Sequence, residues 1–419
     1  MKTLIKGNII SAERPDTFSI TENGWMLLDD GVIEGIFPAR PEGTEELPVT
    51  DYGDKLILRS FADVHLHAPQ YPMLGLGMDL QLMDWLEQYT FPLESLFSDT
   101  DFARQTYRKL AGELVSNGTT LVSVFSSRHT DSTLVLMEEL ENAGLCGYAG
   151  KVNMDLNGGP RLQETAEESV RETVRWLDES KRFTRIRPIL TPRFVPSCSA
   201  GVMEALGRLS AERDLPVQSH LSENKVEMRI VSEQFPGEKQ YWDVYKRFGL
   251  FHGRTVMAHC VHSDERERAA LRDNGVLVAH SPDSNVNVCS GFPPVRLMLG
   301  EGVKVALASD IAGGDQLAIN KCITSAIRMS KVRCIASDGK EPFLTVSEAY
   351  YMATTASASF FGLHGGFAVG DPLHAIVVDD GNMPMSFQPR RMQDRVERAL
   401  YLMDRSCIQA VYAGGKRVK

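Results

Sequence analysis

No Cys-x-x-Cys pair occurs anywhere in the 419 residues. The seven cysteines (Cys146, Cys198, Cys260, Cys289, Cys322, Cys334 and Cys407) stand singly, which excludes zinc knuckles and dithiol redox motifs and leaves reduced thiols as the expectation. Cys198 and Cys260 fall near suspected site residues and read as small packing residues. No basic stretch stands out against a formal charge of −10, so an electrostatic footprint for nucleic acid is absent. No apolar run approaches membrane-spanning length, and the opening Met1-Lys2-Thr3-Leu4-Ile5-Lys6-Gly7 turns polar too soon for a signal-peptide core. These absences predict a cytoplasmic protein whose partner is a small molecule, with no nucleic acid and no membrane.

What is present is ordinary globular material: 43% hydrophobic and 24% charged residues, in a chain long enough for one large and one small domain. Residues 1–58 read as short strands and turns, with Trp25-Met26-Leu27-Leu28, an Asp29-Asp30-Gly31 turn and Val32-Ile33-Glu34-Gly35-Ile36. Residues 366–419 repeat the style, with His374–Val378, Cys407–Tyr412 and a Gly414-Gly415 turn. Both ends together predict a small β-sandwich module. Between them, over 59–365, β-branched runs alternate with helical patterns, as repeated βα units do. Eight runs count as strands: Leu56–Leu58 leading to His65, Thr120–Val124, Tyr148–Val152, Ile186–Leu190, Val217–His220, Val256–His259, Val276–His280 and Val303–Ala308. The expected fold is α/β, a (β/α)8 TIM-like barrel. Helices are expected at Asp101–Val115 and Ala200–Arg213, and helix ends at Gly144 and Gly275.

In such a barrel the reactive groups sit at the C-terminal ends of strands. The first strand ends Asp63-Val64-His65-Leu66-His67, the fifth in His220 and the sixth in His259, with Asp310 after the eighth. Residues two apart on a strand share a face, so His65 and His67 can clamp one ion from the barrel interior. Three imidazoles and one carboxylate leave a position for water and lower its pKa, which points to metal-assisted hydrolysis.

This order of His-x-His, His, His and Asp resembles the amidohydrolase superfamily over essentially the whole chain. Arg59-Ser60 replaces a frequent Pro-Gly, and Ala308-Ser309-Asp310 a frequent Gly-Thr-Asp, without loss of a ligand. The fourth run, Ile186–Leu190, has no lysine to bridge two metals, and Lys151 on the third reads as a supporting or surface residue. The resemblance therefore implies one divalent ion, zinc or else iron, on His65, His67, His220 and Asp310. It also implies catalytic roles for Glu223 as proton carrier, for His259 as a hydrogen-bonding group and for Asp310 as base. The His-x-Glu and Pro-Cys-x-x-Cys signature of the other zinc nucleobase deaminases is missing.

Three further stretches narrow the reading: His67-Ala68-Pro69-Gln70-Tyr71, Trp85-Leu86-Glu87-Gln88-Tyr89-Thr90-Phe91-Pro92 and Thr191-Pro192-Arg193-Phe194. They resemble guanine deaminases. That resemblance implies hydrolytic deamination of guanine to xanthine and ammonia by a mononuclear metal-bound hydroxide, with substrate contacts from Gln70, Trp85, Arg193 and Phe194. An amide can donate and accept at ring nitrogens, a guanidinium can donate to a carbonyl, and an aromatic face can pack on a base. Each also has a plainer reading: Gln70 could cap a turn, Arg193 could pair with a surface acid, and Phe194 or Trp85 could fill core. His280 is open between substrate contact and structure, and Asp283 stands where the family often has threonine. Asp310-Ile311-Ala312-Gly313-Gly314 resembles a family loop whose glycines pass close to the site. Other readings are deamination of a pterin, an oxidised guanine or a triazine, an amide or lactam hydrolase, and a metal-free non-catalytic relative. A homodimer is expected by superfamily analogy.

Overall fold

The computed structural model describes residues 1–385 and 391–419; the part of the expected C-terminal module at 386–390 lies outside the described residues. Its centre is a TIM barrel. The strands Phe61–His67, Thr119–Phe125, Cys146–Gly150 and Ile186–Pro188 form one parallel run. Val217–Leu221, Thr255–His259, Leu277–His280 and Lys304–Leu307 form a second. A parallel bridge between Leu190 and Val217 joins the two on one side. On the other, Asp310 N–H donates to His65 O at 2.9 Å and His67 N–H to Ile311 O at 3.1 Å.

Side-chain alternation fills the barrel. Ala62, Val64, Leu121, Tyr148, Ile189, Val256, Ala258, Leu277, Ala279, Ala306 and Ala308 make one buried cluster, closed at one end by Phe361. The intervening positions, such as Val122, Met257, Val278 and Val305, pack with the surrounding helices. Thr100–Ser116 and Ala200–Arg213 are helices close to the expected spans. Asp99 accepts from the amides of Asp101 and Phe102, and Ser199 from that of Val202, caps that each contribute about 1 kcal/mol. Gly144 at φ +85° and Gly275 at φ +69° take the left-handed turn that ends a helix.

Both chain ends meet in one seven-stranded sheet. Its order is Lys416–Arg417, Ile408–Ala413, Ala375–Val378, Val49–Arg59, Lys2–Arg14, Thr17–Asp29 and Val32–Phe37. Asp30 at φ +45° and Gly31 at φ +81° supply the two left-handed residues a tight hairpin needs, and Asp29 pairs with Val32. One expectation shifts: Leu56–Leu58 belongs to this sheet, paired with Ile10 and Ile376 neighbours, and the first barrel strand begins at Phe61. Only Ser60 separates the two. Its Oγ lies 2.6 Å from Thr120 Oγ1, which lies 2.8 Å from His374 Nδ1, and its N–H donates to His374 O at 3.2 Å. No helix among the described residues is long and apolar enough to cross a membrane.

Candidate active site

The strand ends do more than alternation alone would give. Ala62 and Val64 face the barrel interior while Leu66 packs outward, so a register irregularity between Asp63 and Leu66 turns the strand over. It is this bulge that aims His65 and His67 inward together. On the sixth strand Val256 and Ala258 face inward, which would send His259 outward. Left-handed backbone at His259 (φ +73°) and Cys260 (φ +47°) redirects it toward the site. Asp310 (φ +47°) and Ser222 (φ +48°) share that uncommon conformation; His259 and Asp310 line the cavity, and Cys260 and Ser222 are chain neighbours of the lining residues His259 and Glu223.

His65, His67, His220 and Asp310 converge. His67 Nε2 lies 3.3 Å from His220 Nε2, His65 Nε2 3.1 Å from Asp310 Oδ1, and His67 Nε2 3.6 Å from the same oxygen. A tetrahedron of ligands with bonds of about 2.0–2.1 Å has edges of about 3.3 Å. Burial holds the imidazoles of His67 and His220 well below their usual range, and His65 is lowered as well. For Asp310, burial pushes up, but the surrounding histidines outweigh it and keep the carboxyl far below its ordinary value. His220 Nδ1 donates to Arg193 O at 2.6 Å, which leaves Nε2 as the free lone pair facing the cluster. Nδ1 of His65 and Nδ1 of His67 are buried with no hydrogen-bond partner, and His65 Nε2 meets Asp310. Neutral imidazoles and a carboxylate with unshared lone pairs fit a divalent cation. His65, His220 and His259 form a second group close enough to share an ion. Phe125 floors the cluster, its ring 4.8, 4.6 and 5.1 Å from those of His65, His67 and His220.

Glu223 and His259 stand beside it. Glu223 is 5% exposed; its Oε2 lies 3.5 Å from His259 Nε2 and its Oε1 accepts from Ser290 Oγ at 3.1 Å. Burial raises its pKa. His259 Nδ1 donates to Asn285 Oδ1 at 2.9 Å, so Nε2 is the atom that faces Glu223 and, at 3.7 Å, Asp310 Oδ2. Burial pulls this imidazole down, yet the Glu223 and Asp310 carboxylates and Asn285 raise it further.

The opposite wall is the expected substrate side. A cavity partly open to solvent is lined by His67, Gln70, Trp85, Arg193, Phe194, His220, Glu223, His259 and Asp310 among others. Of the ten residues assigned catalytic, substrate or metal roles from the sequence, all but His65 line this cavity. Trp85 presents its ring while its Nε1 donates to Leu76 O at 3.0 Å. The plainer readings also hold in part: Trp85 belongs to a small core with Met73, Leu82 and Leu86. Arg193 does pair with an acid, but a buried one, Glu94. Gly313 is needed for space, since a Cβ there would lie 2.5 Å from Ser284 Oγ and 3.4 Å from Asp310 Oδ2.

Several residues were missed by sequence reasoning. Glu94, Asn285, Ser290, Phe125 and Ser284 hold or line the site; Glu94 ends the family-like stretch that begins at Leu82 and Ser284-Asn285 follow His280, but their sequence alone gives none of the five a role. His280 is not on the cavity: with Ala279 inward it faces the outer helices, in a separate pocket with Arg296 and Arg333. Burial lowers its pKa to about 3. Asp283 is likewise off the cavity, half-buried beside Ser325. Lys151 is no surface residue; it is fully buried, with Nζ 2.6 Å from Glu164 Oε1.

Residues 56–418 match the Amidohydrolase family profile. A guanine deaminase of Dictyostelium discoideum is 37% identical, covering 99% of this chain and 98% of that one. One of Rattus norvegicus is 37% identical over 87% and 83%. The crystal structure of guanine deaminase from C. acetobutylicum, with bound guanine in the active site, superposes with a TM-score of 0.97 at 39% identity over 100% of both chains. The chain belongs to the amidohydrolase family and, within it, to the guanine deaminase branch.

Proposed function

We propose that this chain is a metal-dependent aminohydrolase that converts guanine and water to xanthine and ammonia. The observation that carries the reading is the cavity's two-sided chemistry. One wall holds a donor cluster with a proton-carrying carboxyl, and the other holds an amide, a guanidinium and two aromatic rings. The relatives named guanine deaminases support the choice of purine.

His65, His67, His220 and Asp310 would hold a single divalent ion, with zinc the preferred identity because three imidazoles and one carboxylate suit it. When bound, such an ion lowers the pKa of water and polarises it for attack near neutral pH. The chain's own groups do the rest. Gln70 and Arg193 hydrogen-bond the ring edge, and Phe194 and Trp85 flank its face. Glu223, whose raised pKa suits proton uptake, takes a proton at a carboxylate oxygen as water adds at C2 and returns it to the adjacent ring nitrogen. His259, turned by Asn285, offers Nε2 to the oxygen that adds, and Asp310 accepts a proton at its free oxygen. The proton held at Asp310 is then passed to the amine, the C2–N bond breaks with release of ammonia, and the added oxygen is left as the C2 carbonyl of xanthine.

The same reading divides the chain into a barrel over 59–365 and a module of 1–58 with 366–419, operating as a cytoplasmic homodimer. Its test is ammonia release from guanine, a pterin, an oxidised guanine and a triazine by zinc- and iron-loaded protein. Guanine is expected to turn over fastest. Faster turnover of another ring would replace the substrate, and no release from any would remove the aminohydrolase reading.

A further inference from the structure

One carboxylate behind the cavity wall holds both of its polar arms. Glu94, 2% exposed, closes the short helix Phe91–Glu94 and is not itself on the cavity surface. Its Oε1 accepts from Gln70 Nε2 at 3.0 Å and from Arg193 Nη2 at 3.1 Å, and its Oε2 accepts from Arg193 Nη1 at 2.6 Å. The other end of Gln70 is fixed too, because Oε1 accepts from the Ala312 amide at 3.0 Å. Turning this amide over would set a carbonyl against a carboxylate and an NH2 group against a backbone N–H. Two hydrogen bonds would become two repulsions. Gln70 therefore offers the cavity one N–H and one oxygen lone pair, each in a fixed place.

Arg193 is restrained in the same way. Two of its five N–H groups form a fork with Glu94, and its guanidinium lies 5.2 Å from the Phe91 ring centroid. Both partners are 3% exposed at the side chain, so the two charges cancel within a buried unit. Tyr107 faces Glu94 from the helix behind, and His67, His220, Glu223, His259 and Asp310 face Arg193 across the cavity.

We propose that Glu94 is a positioning residue that locks the polarity of Gln70 and neutralises Arg193, so that the cavity receives an uncharged purine edge and does not retain an anionic one. The proposal rests on the guanine reading above, and it bears on product release. Xanthine carries a carbonyl where guanine carried the amine, and it gives up a ring proton more readily. A guanidinium without its counter-charge would hold the xanthine anion; one already paired with a carboxylate has no net charge to offer it.

The metal-loaded protein, Glu94→Gln and Glu94→Asp are compared by steady-state kinetics on guanine. Xanthine serves as inhibitor, at one pH below and one above its first ionisation, and thermal melting is followed in parallel. For Glu94→Gln, the guanine KM is expected to rise about tenfold with kcat within about threefold, as loss of a ground-state contact does. Xanthine should bind about tenfold more tightly, and only at the higher pH. Glu94→Asp keeps the charge and shortens the arm, so KM rises while xanthine inhibition stays at the wild-type level. Xanthine inhibition unchanged in Glu94→Gln, or strengthened equally at both pH values, overturns the proposal. If Glu94→Gln does not fold, stronger xanthine inhibition in Glu94→Asp overturns it and unchanged inhibition supports it. Wild-type protein inactive on guanine defeats the substrate reading instead, which separates the two failures.

Discussion

His220 Nδ1 donates to the backbone carbonyl of Arg193 at 2.6 Å, so a residue of the substrate wall sets the tautomer of a candidate metal ligand. The two halves of the cavity are thereby linked through one hydrogen bond, and the ligand cluster can be disturbed from either side.

Replacing His220 by Ala removes one corner of the donor set and leaves the rest in place. Bound metal, read by elemental analysis, is expected to fall from about one equivalent to a small fraction, with ammonia release lost in parallel. Full metal content in His220→Ala would show that the ion is held elsewhere, for example by the group containing His259.

Glu223→Gln keeps size and removes the titrating oxygen. A fall in kcat on the order of 10²–10⁴, with KM little changed and metal content intact, is the expected result for a lost proton carrier. A fall of less than about threefold would assign proton transfer to another group.

Arg193→Ala leaves Glu94 buried without its counter-charge. The expected destabilisation is about 3–5 kcal/mol, measured by urea unfolding of the metal-loaded protein. Exchanging Arg193 and Glu94 together for Met and Leu should recover most of that loss while abolishing activity.

Glu267 gives a pH dependence away from the ligand cluster. Burial pushes its carboxyl from the ordinary 4.5 up to about 7, against hydrogen bonds from Ser263 and Ser222 that lower it. Between those values the folded state keeps a proton that the unfolded chain has released. Its contribution is whole below about 4.5 and declines as pH rises to about 7. Glu267→Gln should therefore flatten the fall in stability across that window, and parallel curves for the two proteins would contradict it.

The sequence carried the fold through βα alternation, and it carried the convergence of the candidate ligands through polar residues at strand ends together with the family resemblance. It carried less of the geometry. The inward aim of His65 depends on a bulge that local spacing does not announce, and the aim of His259 on a left-handed turn. Glu94 meets Arg193 across 99 residues, with no local sign of the pairing. His280 is a different case. Ala279 already belonged to an inward row, so strict alternation placed the histidine outside the barrel, and its position beside a conspicuous loop hid that parity.

The single-residue junction at Ser60 ties the terminal sheet to the strand bearing His65 and His67, and Thr120 and His374 rivet it from both sides. A chain ending at residue 365 would keep every side chain of the cavity wall and still lose the rivet. The sheet is thus a clasp on the first barrel strand, and a barrel cut free of it is expected to lose that hold on the strand that bears His65 and His67.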